Sequence, residues 1–195
     1  MIPVANPIPT PPLFDQDCRK PGLTWLRANR TSKKFPSHWR NFQPDLADGF
    51  HNLCGWWAMR IADGAVDHYL SKENHRRLTY SWSNYRYIAG TVNSSKKKHD
   101  DKVLDPFEVQ AGWFEVLLPS LQLVRTALVP PLLHAKADFT LKKLKLATGP
   151  KVRRNRKGWY EDHRDRGLPM PLLEEYAPLV ADAVKKWIAT GQPLP

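Results

Sequence analysis

The spacing of apolar and polar positions changes several times along the chain, and each change predicts a different element. Residues 1–12 carry prolines at 3, 7, 9, 11 and 12. Proline removes backbone donors and biases its neighbours toward extended conformations, so an extended arm is expected, ordering only against a partner or the core. From 13 to 52 the apolar residues are irregularly spaced and broken by Pro21-Gly22, Pro36 and Pro44. That predicts a flank of short helices and loops, with Leu23, Trp25, Leu26, Trp39 and Phe42 on the core. Ala62-Asp63-Gly64 reads as a turn between two short runs, Trp56–Ile61 and Ala65–Tyr69, and so predicts a β-hairpin. A polar loop over 71–83 follows, then a strand Tyr85–Ile88 ended by Gly90, then a short helix over 93–98 capped by Thr91 or Asn93. Beyond Val103 the chain reads as mostly helix and loop, punctuated by Pro119, Pro130 and Pro131. Leu173, Tyr176, Val180, Val184 and Trp187 recur at steps of three and four, which predicts one helix over 173–188 whose apolar face caps the core. No internal repeat is present.

Composition narrows the class. At 195 residues, with 42% apolar and 25% charged, the chain is long enough for one well-filled core and short for two full domains. Eight Trp residues can build a core around short irregular elements or face a ligand. Lys and Arg number 30 against 19 Asp and Glu, a formal charge of +11, which favours a polyanionic partner. The densest positive segment is 142–157, where no acidic residue interrupts Lys142, Lys143, Lys145, Lys151, Arg153, Arg154, Arg156 and Lys157. No apolar run approaches the roughly 20 residues of a membrane span, so no membrane partner is expected. Cys18 and Cys54 are the only cysteines and form no CxxC pair, which excludes a disulfide framework or a four-Cys zinc site. Residues 1–12 lack the basic start and apolar core of a signal peptide, so a cytoplasmic location is the expectation.

The informative residues are Val66-Asp67-His68, Asn84-Tyr85-Arg86 and Asn93-Ser94-Ser95-Lys96. Phosphodiester hydrolysis needs a base for water near neutral pH and a divalent cation to offset charge on the phosphate. A neutral imidazole suits the first task, and Asp67 and Asn93 offer the hard oxygen atoms that magnesium or manganese prefers. Successive strand side chains point to opposite faces, so Asp67 and His68 can serve one cleft only at a bend or a strand end. Singly, each residue has an ordinary structural explanation; the ordered set carries the argument. His75, in the polar loop, is either a supporting group or without a role, and His99, six residues past Asn93, reads as a surface residue.

That ordered set, Val-Asp-His, a polar loop, Trp82-Ser83-Asn84-Tyr85-Arg86, then Asn93 followed by lysines, resembles the HNH (ββα-metal) endonucleases. The resemblance implies an α+β fold with a ββα-metal core over 53–106 between mostly helical flanks, 13–52 and 107–195. It implies His68 as general base, Asp67 as metal ligand, Asn84 as the residue bracing the loop, and Asn93 as the third motif residue. The nine-residue step from Asn84 to Asn93 resembles that of the HNH domain in RNA-guided DNA nucleases. More loosely, Arg19-Lys20-Pro21-Gly22, Leu104-Asp105-Pro106-Phe107-Glu108-Val109 and Gly112-Trp113-Phe114 resemble stretches of bacterial HNH proteins. Cys54 has no near partner, so structural zinc is not expected, and Asn93 in place of a final histidine suggests Mg2+ or Mn2+.

Lys96, Lys97 and Lys98 with Arg86 are then expected to line a phosphate track beside the metal, and Lys151, Arg153, Arg154, Arg156 and Lys157 to bind nucleic-acid backbone without sequence preference. The function expected is a DNA endonuclease of low intrinsic specificity. The alternatives are a non-catalytic nucleic-acid-binding subunit on the same scaffold and a nuclease acting on RNA. By analogy with small HNH proteins, a protein partner such as an ATPase in a bacterial or phage defence system is also expected.

Overall fold

The computed structural model describes residues 1–4, 6–96 and 99–195. The described residues of the N-terminal arm lie on the protein, with Met1 and Ile8 buried in two different apolar clusters. A π-helical stretch, Asp15–Arg19, leads into α1 (Lys20–Ala28), and α2 (Gln43–Gly49) carries Pro44 in its first turn, where the missing N–H costs nothing. Gly22 lets α1 lie directly on Tyr80, since a Cβ there would stand 2.3 Å from the ring.

The centre of the chain is an antiparallel pair, β1 (Gly64–His68) and β2 (Tyr85–Ala89), in a register that runs from Gly64 opposite Ala89 to His68 opposite Tyr85. Helix α3 (Gly90–Lys96) follows β2 without a loop. The strand thus ends at Ala89 and Gly90 starts the helix, so Thr91 and Asn93 lie inside the helix and not at the cap expected of them. The alternation of β2 divides two cores: Tyr85 and Tyr87 join an aromatic cluster with Phe14, Trp39, Phe42 and Trp82, while Ile88 joins the larger cluster of the C-terminal half.

The hairpin predicted between 56–61 and 65–69 does not form. Ala65–His68 is a strand, but its partner is β2, reached across the long polar loop. Residues 56–59 are instead a buried turn: Trp56, Trp57, Ala58 and Met59 are all buried in succession, Ala58 has a φ of +53°, and Trp56 Nε1 donates to Leu104 O at 3.0 Å. Burial on every side, rather than on alternate residues, is incompatible with a two-stranded surface ribbon.

The C-terminal half holds a second hairpin, β3 (Phe114–Leu117) with β4 (Gln122–Arg125), where the sequence predicts no strand. Phe114, Val116 and Leu123 are buried on its inner face. Then come α4 (His134–Lys143), α5 (Pro150–Arg166), α6 (Met170–Tyr176) and α7 (Pro178–Ile188). The single helix expected over 173–188 is two, because Pro178 pushes Ala177 out of the helical region, to φ −150° and ψ 63°. The predicted apolar face persists across the break, with Leu173, Val180 and Val184 buried. The fold is thus mixed α and β, and among the described residues no helix is long and apolar enough to cross a membrane.

Candidate active site at the end of the first hairpin

The ladder of β1 and β2 ends at His68, and the side chains of Asp67 and His68 flank that end. Both are buried, at 5% and 6% exposure. The His68 ring packs edge-on against Trp39 and Tyr85, at 4.7 and 5.0 Å between ring centres. Its Nε2 lies 2.9 Å from the Thr79 carbonyl, which can only accept, so Nε2 carries the proton and Nδ1 keeps a lone pair. Burial holds the imidazole far below its ordinary pKa of 6.5, at about 3; the charges of Lys72 and Lys96 add to this, and the bond to Thr79 opposes it. The ring is therefore neutral, in one tautomer, at physiological pH.

Asn84 ties the polar loop to the strand. Its Oδ1 accepts from Leu70 N at 2.8 Å, and its Nδ2 donates to Leu70 O and Leu78 O at 2.9 and 3.2 Å. Asp100, whose importance no spacing in the sequence signals, holds the same loop from the other side. Its carboxylate accepts from Ser71 N at 2.8 Å, Ser71 Oγ at 3.1 Å and Asn74 Nδ2 at 2.8 Å, and faces His75 Nε2 at 3.5 Å. His75 is exposed, and His99 is half-buried with its ring 5.7 Å from that of Phe139.

Lys96 reaches back from the last turn of α3. Its ammonium is fully buried, donates to the His68 carbonyl at 2.9 Å and stands 3.0 Å from Asp67 Oδ2. Among the described residues Lys96 is the one cation paired with Asp67 Oδ2. Burial pushes the Asp67 carboxyl pKa up, and the Lys96 and Arg86 charges oppose it. A buried carboxylate oxygen that already faces a cation is an oxygen position suited to positive charge. Among the described residues no group of three His, Cys, Asp or Glu side chains converges as a metal cluster. Asn93 lies one turn before Lys96 on α3; its side chain, like Lys97 and Lys98, lies outside the described residues.

Several expected phosphate contacts are structural instead. The Arg86 guanidinium is buried on the Asp105 carboxylate, with Nε to Oδ1 at 2.6 Å and Nη2 to Oδ2 at 2.5 Å, and it stacks 3.7 Å from the centre of the Phe107 ring. Arg156, 1% exposed, donates to the carbonyls of Leu121, Ala147 and Leu146. Lys96 is likewise committed to Asp67 and His68. Buried Arg is stable when a fork of donors finds a matching set of acceptors, and the sequence does not reveal where those acceptors will be. Lys151, Arg153, Arg154 and Lys157 are exposed on α5. Of these, Lys157 pairs with Glu161 at 3.3 Å, while Lys151 and Arg154 face Gly90 and Thr91 of α3 across a groove of about 650 Å3. No protein-family model, curated protein or solved structure matches this chain.

Proposed function

We propose that this protein is a metal-dependent nuclease of the HNH type, hydrolysing phosphodiester bonds in DNA, with His68 as the general base. The observation that supports this best is the His68 tautomer: a neutral ring with Nε2 fixed on Thr79 O and Nδ1 left as acceptor, beside a buried carboxylate that, among the described residues, the Lys96 ammonium alone faces through Oδ2. In this reading Nδ1 takes a proton from the attacking water as its oxygen bonds to phosphorus. The bond from phosphorus to the leaving oxygen breaks, and that oxygen takes a proton from solvent. Asn84 positions the loop that carries Thr79 and so orients the base. Asp67 and Asn93 would hold Mg2+ or Mn2+, which when bound supplies positive charge at the scissile phosphate. Exposed cations of α5 would hold the backbone nearby.

The Lys96–Asp67 contact favours one competing reading, in which the ammonium permanently takes the place of a metal and the unit binds nucleic acid without cutting it. Incubation with supercoiled plasmid in magnesium, manganese or chelator separates the two. Metal-dependent nicking or linearisation supports the nuclease; binding with an intact plasmid under every condition supports the second reading.

A further inference from the structure

A second basic surface is formed by α1 and the Arg76–Leu78 turn. Between Cys18 and Pro44 the chain has seven Lys or Arg residues and no acidic one. The fold turns part of this span into a groove of about 610 Å3, lined by Leu23, Leu26, Arg27, Arg30, Arg76 and Arg77. Arg76 builds it. Its Nη1 donates to Ser32 O at 2.6 Å and its Nη2 to Asn29 O, which locks the chain leaving α1 against the 3-10 turn Arg76–Leu78. Arg30 and Arg77, far apart in sequence, thereby line one groove. Arg27, Arg30 and Arg77 are exposed, and among the described residues none of them has a hydrogen bond or an ion pair. Cations at the C-terminal end of α1 suit its dipole, but that does not account for their meeting an arginine from a separate element.

The groove connects to His68 through a ladder of stacked cations and rings. The Arg76 guanidinium lies 5.7 Å from the centre of the Trp25 ring and 5.0 Å from that of Phe35. The Lys72 ammonium lies 5.8 Å from Phe35 and 4.6 Å from Trp39, and Trp39 packs edge-on against His68. Arg77 is also two residues from Thr79, whose carbonyl fixes the His68 ring. Unpaired guanidinium groups lining one groove with Leu23 and Leu26 fit a row of phosphates better than any neutral ligand, and guanidinium forks match phosphate oxygens in pairs.

We infer that the arginine groove of α1 and the Arg76–Leu78 turn is the entry track for the nucleic-acid backbone, leading it along Lys72 to His68. This rests on the nuclease reading for its direction, not for its existence. The test is fluorescence anisotropy with a labelled duplex of about 20 base pairs across a salt series, in a His68→Ala background so that the probe stays intact. Arg27→Glu, Arg30→Glu and Arg77→Glu are combined in one variant, and Lys151→Glu, Arg153→Glu, Arg154→Glu and Lys157→Glu in a second; all seven residues are exposed. The first variant is expected to weaken binding by about tenfold or more at moderate salt, and to flatten the slope of log K against log salt by about two to three, at roughly 0.9 per lost phosphate contact. Unchanged affinity and slope in the first variant, or no duplex binding by the parent protein, would overturn the inference. Groove-dependent binding without plasmid cleavage by the wild-type chain would uphold the track and remove the nuclease reading. Cleavage unimpaired by the three arginine changes would do the reverse.

Discussion

The Lys96 ammonium stands 3.0 Å from Asp67 Oδ2, and both groups are buried. Removing one member of such a pair leaves an uncompensated buried charge, which typically costs about 3–5 kcal/mol. Lys96→Met should therefore lower stability by roughly that amount in urea denaturation. If the oxygen can take a divalent cation, millimolar magnesium should recover part of the loss, raising the Tm of Lys96→Met by more than that of the wild type. Equal magnesium responses in the two proteins would mean that Asp67 does not hold a metal in Lys96's place.

His68 sets a pH dependence whose sign is fixed by burial. Its folded pKa, about 3, lies below its ordinary value of 6.5. The unfolded chain therefore binds a proton that the folded chain refuses, and stability present above pH 6.5 is lost as pH falls toward 3. Replacing His68 with Asn should shrink the difference in unfolding free energy between pH 7 and pH 4.5 by roughly 2–3 kcal/mol. In the wild type, nitrogen NMR should show neutral imidazole protonated at Nε2 from pH 8 to pH 5. A titration of this ring near 6.5 would contradict the burial described.

Arg86 is predicted to matter for folding and not for nucleic-acid contact. Its guanidinium is buried on Asp105, so Arg86→Met should cost about 3–5 kcal/mol. Duplex affinity per folded molecule should be unchanged, and a loss of affinity at full stability would return Arg86 to the phosphate track.

Gly22 is one of the contacts through which α1 meets the loop that carries Thr79. A methyl group there would stand 2.3 Å from the Tyr80 ring, which is 1% exposed. Gly22→Ala should destabilise by about 1–3 kcal/mol despite the better helix propensity of alanine. A rise in Tm would show that α1 can shift off Tyr80 without strain.

The residues that proved legible in the sequence share a local signal. Alternation and bounding turns mark Ala65–His68 and Tyr85–Ile88 as strands, and the polar loop between them places Asp67, His68 and Asn84 at one end of the ladder. The partner of the first strand was not legible, because Trp56–Ile61 offers a nearer apolar run and only the successive burial of Trp56, Trp57, Ala58 and Met59 rules it out. The strands β3 and β4 are four residues each, too short for their alternation to stand out. Charge was the least reliable guide. Arg86, Lys96 and Arg156 look like surface cations until Asp105, Asp67 and three carbonyls are brought to them by tertiary packing. Thr79 contributes a backbone oxygen, which no side-chain pattern can reveal. The arginine groove had a visible trace, the acid-free span from Cys18 to Pro44, but its partner Arg77 comes from another element.

The central claim is that His68 performs chemistry and not only packing, and paired binding and cleavage assays of His68→Ala test it most directly. Wild type and variant are compared on supercoiled plasmid with magnesium, with manganese and with chelator, and in parallel on a labelled duplex. The wild type should cut only with metal. The variant should bind the duplex with the same affinity and salt slope and fail to cut by a factor of about a hundred or more. Wild-type cleavage by His68→Ala, or cleavage by the wild type that persists in chelator, would contradict the account.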